Sequence, residues 1–380
     1  MSFEEEVSSL NELFFFKEFT FHRNVFRTNE NNEYEFADNV IWLQDLLIAY
    51  QVKERSHGSS DPDKGKTWFH GKVLGKATRQ IRDTLNYLNQ YEKIPLKNRR
   101  DQTFELSKRT LNAIDSIILY YSNEFLPIDC KNCKFHRSNE AGLIHIIPAQ
   151  DYLRICQTLI TPSEIHEYLQ FRESIIQRYQ DQVRNIIEAA LLGQFLYGDL
   201  DKEPNESYLK YLYSVEKNHL LWNMSKFLEE FPQKIIGKVQ PNDYYQIVSE
   251  IAKLNRSDLI EFKERFSLTI KKAKSDEVIP PYRMVIPRTS CGFVFVPCPK
   301  IYREYQIQAL KNYTYAHKYD QKLNKCLGVS VAQDDEEYYL IFWNYLESPW
   351  EYDEEMEVRL KENFPFRKVG HVESPRYSFK

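Results

Sequence analysis

Six cysteines are spread over 380 residues, at positions 130, 133, 156, 291, 298 and 326, without the dense spacing of a disulfide framework. They suit a reducing compartment. Glycine is scarce, at 11 residues, and the absence of a GxxxxGK[ST] segment removes a P-loop site. No apolar run approaches the roughly 20 residues that a bilayer crossing needs. The opening Met-Ser-Phe-Glu-Glu-Glu is acidic where a secretory signal carries positive charge, so the expectation is a cytoplasmic protein with no membrane contact. A basic excess is missing too: 51 Lys and Arg face 55 Asp and Glu, which excludes a bulk nucleic-acid coat protein. No Ser-His-Asp or Cys-His constellation can be argued from spacing.

What the chain does have is apolar substance. Hydrophobic residues make up 42% and aromatics 14%, enough for two or three cores. Residues 1–148 read as an α/β domain, 149–275 as a helical middle and 276–380 as a small α+β module of unknown role. A short apolar strand is expected at 142–148. Thr161-Pro-Ser-Glu164 is a capping box with proline at the first helical position, and it opens a helix expected to run through Ile187. Further amphipathic segments span 206–231 and 244–274. Their Tyr208, Tyr211, Tyr213, Trp222 and Phe227 fit a core better than a base-stacking platform. In the last module, strands at 283–287 and 291–297, a helix at 302–319 and a hairpin of 326–332 with 338–345 are expected, then a helix from Asp353.

The most informative stretch is another hairpin. Residues 36–43 and 46–53 read as strands, with Gln44-Asp45 as a two-residue turn. Facing residue numbers then sum to 89, which sets Asp38 opposite Gln51, at about 5 Å between Cβ atoms. Lys53 shares the face of Gln51. The opposite face collects Ala37, Ile41, Leu43, Leu46, Ile48, Tyr50 and Val52 as a core surface. A carboxylate, an amide oxygen and a backbone carbonyl form an incomplete shell of hard oxygens. Mg²⁺ accepts such a shell while keeping waters and a substrate phosphate. A lysine beside the ion can orient or deprotonate a water whose pKa the ion lowers. Taken alone, the three residues fit better a cross-strand Asp–Lys pair at a sheet rim.

Their setting reverses that balance. The first 125 or so residues resemble the PD-(D/E)XK nuclease superfamily, the restriction-endonuclease-like fold, in the branch where QxK replaces (D/E)xK, as in restriction enzymes acting on modified DNA. The resemblance implies a central mixed sheet flanked by helices, with helices at 2–12 and 68–91 and strands at 14–27, 103–106 and 116–121. It makes Asp38 and Gln51 metal ligands, with the Val52 carbonyl assisting, and gives Lys53 the attacking water. Glu12 is the best match to the glutamate of the family's N-terminal helix, and Glu35 a weaker one. Ala37 stands where the family name has proline. Gln80 is followed at the Gln-xxx-Tyr spacing of the exonuclease-like branches by Thr84, which argues against that branch and leaves an endonuclease. The implied activity is Mg²⁺- or Mn²⁺-dependent phosphodiester hydrolysis, of DNA before RNA, in restriction or antiviral defence. The alternative is a non-catalytic nucleic-acid-binding or assembly protein on the same fold. A homo-oligomer or a protein partner stays open.

Local charge agrees with a polyanionic substrate. Residues 50–109 hold 14 Lys and Arg against 7 Asp and Glu, whereas residues 1–49 hold 3 against 10. Lys64, Lys66, Lys72, Lys76, Arg79 and Arg82 are candidate phosphate contacts, the last four at helical spacing. Most charge runs are merely solvated faces. The segment 56–66 reads as a turn-rich loop able to grip substrate or simply to connect. Cys130, Cys133 and His136, with His145 as a fourth group, have zinc-ligand types but only one pair at knuckle spacing, so ordinary thiols are favoured. Asp334, Asp335, Glu336 and Glu337 read as a solvated hairpin tip.

Overall fold

Ser2 starts the first helix, α1 (Phe3–Phe15), by a reciprocal capping box: its hydroxyl accepts from Glu5 N–H while the Glu5 carboxylate accepts from Ser2 N–H. In the computed structural model, the described residues are 2–27, 32–55, 61–122, 126–224, 244–335 and 338–367. They fall into two units, Met1–Glu229 and Glu230–Pro375. The helices expected as a middle domain fall on both sides of that division, those before residue 225 in the first unit and those from 244 in the second.

The first unit is mixed α/β. Its strands are β1 (Thr20–His22), β2 (Val25–Arg27), β3 (Glu33–Glu35), β4 (Asn39–Leu43), β5 (Leu46–Glu54), β6 (Ile94–Lys97), β7 (Thr103–Leu106), β8 (Ala113–Tyr121), β9 (Phe135–Ser138) and β10 (Gly142–Pro148). A six-stranded sheet runs in the order β1-β4-β5-β8-β10-β9. Its β5–β8 and β8–β10 pairs are parallel and its other pairs antiparallel. The expected hairpin register holds, with Asn39 opposite Tyr50 and Leu43 opposite Leu46. Gln44 takes φ of 53° in the turn, the left-handed conformation that tight two-residue hairpins require. Central strand β5 is buried from Leu46 through Val52, as expected for a strand covered on both faces.

Those two faces meet different helices. α2 (Pro62–Trp68), a π-helical stretch Phe69–Ala77 and α3 (Thr78–Gln90) follow one another on one side. Phe69, Val73, Ala77 and Ile81 pack there against Ala49 and Ile118. Helices α1 and α5 (Ala149–Thr158) take the other side, where Tyr50, Tyr152 and Asn11 are linked by buried hydrogen bonds. Ala37, expected on the Ile41 face, instead joins Phe36, Val40 and Leu47, because regular pairing begins only at Asn39. The expected strand over 14–27 is the end of α1 followed by β1 and β2, and β7 pairs with β6 outside the main sheet. Residues 62–66 are helix, with Asp61 capping and Pro62 at the first turn, instead of loop. Residues 56–60 lie outside the described set.

The small helix α4 (Ile128–Lys131) precedes β9. The helix expected to run through Ile187 is two, α6 (Pro162–Arg178) and α7 (Gln180–Asn185), broken where Tyr179 leaves helical geometry, and α8 (Glu188–Tyr197) follows beyond it. Helix α9 (Leu209–Lys217) follows. Tyr208 and Trp222 are buried as expected, but Tyr213 is exposed, and Phe227 lies outside the described residues. On the α6 face of the sheet, Asp115 of β8 accepts from Gln170 and lies 2.6 Å from His166 Nδ1. Burial pushes His166 down, but the Asp115 carboxylate outweighs it and holds the imidazole above its ordinary pKa. A raised pKa stabilises the fold fully below the unfolded value of about 6.5, and that contribution disappears as pH rises through the folded value. Tm measured between pH 5 and 9 is expected to fall across that window, and the component is expected to vanish in Asp115→Asn.

The second unit has helices α10 (Tyr244–Ala252) and α11 (Arg256–Lys272), the latter started by an Asn255–Asp258 capping box. Strands β11 (Tyr282–Ile286), β12 (Cys291–Cys298), β13 (Lys325–Gln333) and β14 (Tyr339–Glu347) form a sheet in that order, with β12 and β13 parallel across α12 (Gln306–Asp320). Phe293 and Phe295 meet Phe262 of α11, while Val294 and Val296 turn to Leu310 of α12. Gly328 permits close approach, since a Cβ there would lie 2.1 Å from Thr314 Oγ1. Helix α13 (Glu354–Glu362) closes the described chain. At the β13–β14 tip Asp334 pairs with Arg303, and Asp335 accepts from Tyr338 N–H, as in an ordinary turn. Among the described residues no helix is long and apolar enough to cross a membrane.

Candidate active site

Asp38 lies at the mouth of the β4–β5 hairpin, one residue before regular pairing starts. Its Oδ2 accepts from Val52 N–H at 2.7 Å and from Lys53 Nζ at 3.1 Å. Lys53 Nζ also donates to the Val52 carbonyl at 2.8 Å. Both side chains are nearly inaccessible, at 6% for Asp38 and 11% for Lys53, so this is no solvated surface pair. Burial raises the Asp38 pKa more than the Lys53 charge and the Val52 N–H lower it.

Gln51 completes the group in either of two orientations. With its NH₂ toward Asp38 it donates to both carboxylate oxygens, at 3.0 and 3.2 Å, and meets Gln80 of α3 at 3.2 Å. With its oxygen there, Oε1 faces the carboxylate and takes a bond from Lys53 Nζ at 3.4 Å. The first orientation satisfies every atom and is the resting one. A half-turn of the amide converts it into an acceptor, so Asp38, the Val52 carbonyl and Gln51 can all present oxygen to one cation.

Residues Asp38, Gln51, Val52 and Lys53 thus come together as expected, whereas Glu12 does not join them. Its carboxylate pairs with Arg99 and accepts from Ser8. Among the carboxylates whose charge reaches Asp38 are Glu4, in the first turn of α1, and Glu35. Burial first, then Asp38, raises the Glu35 pKa. The reason is helical phase: Val7, Ser8, Asn11 and Phe15 form the buried stripe of α1, and Glu12 falls on its edge. Gln80 is the site residue that the sequence pattern did not promote. Its only signal was the interrupted Gln-xxx-Tyr spacing, and Thr84 has a structural task instead, donating to the Phe36 carbonyl at 2.5 Å.

The donor set suits Mg²⁺ or Mn²⁺ in kind: hard oxygens that already surround a cationic Nζ. It contains a single carboxylate in direct contact with the group, and among the described residues no cluster of three His, Cys, Asp or Glu side chains could hold a metal. The remaining positions would therefore fall to water and phosphate. Cys130, Cys133 and His136 form no ligand set; burial pushes both thiols up, away from the thiolate zinc needs. His145 Nδ1 is engaged by Arg172 at 3.0 Å.

Of the basic candidates, Lys66 pairs with Asp129 and Arg82 with Glu140 and Asp83. Lys64, Lys72, Lys76 and Arg79 are exposed and make no ion pair with any described residue. The π-helical stretch, at more than four residues per turn, keeps Phe69, Val73 and Ala77 inward and Lys72 and Lys76 outward. Arg79 is the chain neighbour of Gln80, which ties this cationic face to the Asp38 group.

The fold and site define a mixed α/β protein with a central mixed sheet flanked by helices and a buried Asp-Gln-Lys group on its central hairpin. No family model, no curated protein and no solved structure matches the chain.

Proposed function

We propose that the chain is a metal-dependent nuclease with a restriction-endonuclease-like N-terminal domain, acting on DNA in restriction or antiviral defence. The observation that carries this reading is the convergence of the Asp38 carboxylate and the Val52 carbonyl on Lys53 Nζ, with Gln51 able to add a third oxygen. A rim salt bridge needs none of that burial or convergence. The order α1, β1, hairpin β4–β5, helix α3 and parallel strand β8 supports the fold assignment.

Asp38, Gln51 and the Val52 carbonyl would hold a divalent ion. Bound there, Mg²⁺ or Mn²⁺ supplies charge for the phosphoryl oxygens and acidity for an adjacent water. Lys53 Nζ, released from its present oxygens, holds the attacking water and aims it at phosphorus. Asp38, fixed by Val52 N–H, keeps the geometry constant as charge develops. Lys72, Lys76 and Arg79 add sequence-independent attraction for the strand, which weakens steeply with salt.

The test is cleavage of supercoiled and linear DNA with Mg²⁺ or Mn²⁺ by the intact protein, Asp38→Ala and Lys53→Ala. Activity is expected in the intact protein and a loss of at least about 10³-fold in each variant with the fold retained. Cleavage surviving in both variants would sink the site assignment.

A further inference from the structure

A recessed pocket of about 330 Å³ lies beside Asp38, lined by Glu5, Ser8, Ser9, His22, Arg23 and Arg99. Its wall is bound to the Asp38 backbone: the Asp38 carbonyl oxygen accepts from Arg23 N–H at 3.4 Å and lies 3.1 Å from His22 Nδ1. Arg23 is held at φ of 46°, in the left-handed region that non-glycine residues rarely adopt. Such backbone persists where the surroundings enforce it. Here Glu4 grips Arg23 through Nε and Nη2, at 3.2 and 2.8 Å. The Arg99 N–H is pinned by the Lys17 and Thr20 carbonyls and its Nε by Glu12.

Each guanidinium is therefore oriented by a carboxylate that takes only part of its donors. Arg23 Nη1 and both Arg99 Nη groups are left without a partner among the described residues. Two oriented guanidinium forks with free donors match phosphate oxygens better than a lysine would. The exposed Ser9 hydroxyl adds a donor, and the Glu5 carboxylate adds an acceptor suited to a sugar hydroxyl. The volume far exceeds that of a phosphate ion, and no Phe, Tyr or Trp lines it to stack a base.

We infer that this pocket binds a sugar–phosphate unit of a nucleic-acid strand and positions it relative to Asp38. The inference rests on the nuclease reading and deepens it, because the pocket would grip the strand on the side of α1 and β1, away from the cationic helix face. The phosphate could be internal to the strand or terminal; the chemistry of recognition is shared, and the test separates them.

Binding of a fluorescent 12-nucleotide single strand, with a 5′-phosphate or a 5′-hydroxyl, is measured by anisotropy in Ca²⁺ at 50 and 200 mM salt. The proteins are the intact chain, Arg23→Gln/Arg99→Gln and Ser9→Glu. Ser9→Glu places a negative charge in the pocket from an exposed helix position and leaves both ion pairs in place. The double variant and Ser9→Glu are each expected to bind at least about tenfold more weakly, and the double variant to lose about two phosphate contacts from the salt slope. A preference for the 5′-phosphate assigns a strand end, and equal binding assigns an internal phosphate. Unchanged binding in the double variant and in Ser9→Glu overturns the inference alone and leaves the nuclease reading standing. Failure of the intact protein to bind either strand overturns both.

Discussion

Lys53→Met is expected to abolish hydrolysis and, at the same time, to tighten divalent-ion binding by about tenfold or more, a change of about 1.4 kcal/mol or greater. The ammonium now holds Asp38 Oδ2 and the Val52 carbonyl, two of the oxygens that an ion would use. Ion and ammonium compete for these groups and repel each other, so removing the ammonium removes the competitor. Methionine keeps the length of the apolar stem. Without metal the variant is expected to be less stable than the intact protein, because Asp38 stays buried with only the Val52 N–H and Gln51 to satisfy it. Adding Mn²⁺ should then raise Tm more in Lys53→Met than in the intact chain, and not at all in Asp38→Ala. Mn²⁺ titrations followed by electron paramagnetic resonance read the same affinities directly. A weaker ion affinity in Lys53→Met would show that the lysine supports the ion and does not exclude it.

The largest loss of stability is expected far from that site, at the buried ion cluster that ties α6 and α8 to β9 and β10. Arg172 is fully buried and donates through Nε to Glu188 Oε1 at 2.7 Å and through Nη2 to Oε2 at 3.2 Å. It also reaches the Lys134 carbonyl and His145 Nδ1, both at 3.0 Å. Tyr168 and Lys134 complete the shell of Glu188. Burial alone would raise the Glu188 pKa, but Arg172 and Lys134 reverse that and hold it far below the ordinary carboxylate value. The stability it contributes is therefore present above the unfolded pKa of about 4.3 and is lost only as pH falls through the depressed native one. Arg172→Met leaves Glu188 buried with one cation, and Glu188→Gln leaves the arginine unneutralised. Each is expected to cost about 3–5 kcal/mol, roughly 10 °C in Tm for a unit of this size. The double change Arg172→Met/Glu188→Leu should recover part of the loss, since it removes both charges and keeps apolar volume. Urea denaturation of the four proteins measures the difference, and a cost under about 1 kcal/mol for either single variant would refute this account of the cluster.

The hairpin was legible because its information is local. Alternation of side chains, the Gln44-Asp45 turn and a pairing sum of 89 are carried by 18 consecutive residues, and the structure keeps that register from Asn39 to Leu46. The start of α6 at its Thr161 cap was legible for the same reason. The helix break at Tyr179 was not, since tyrosine is no breaker by type. Nor was the π-helical stretch over Phe69–Ala77, whose four-residue apolar repeat also reads as ordinary helix.

By itself, then, the sequence determined the mixed α/β character of the first unit, the hairpin and the Asp38-Gln51-Lys53 face. All of these follow from the spacing of neighbours along the chain. Tertiary structure alone decided that Glu4 and Glu35, not Glu12, share the field of Asp38, that Gln80 meets Gln51, and that Arg23 and Arg99 converge on one pocket. It also split the helical middle between two units. The physical reason is the same in each case: these contacts join segments tens of residues apart, and which helix face or loop reaches the site depends on how whole elements pack, a quantity that no local pattern encodes.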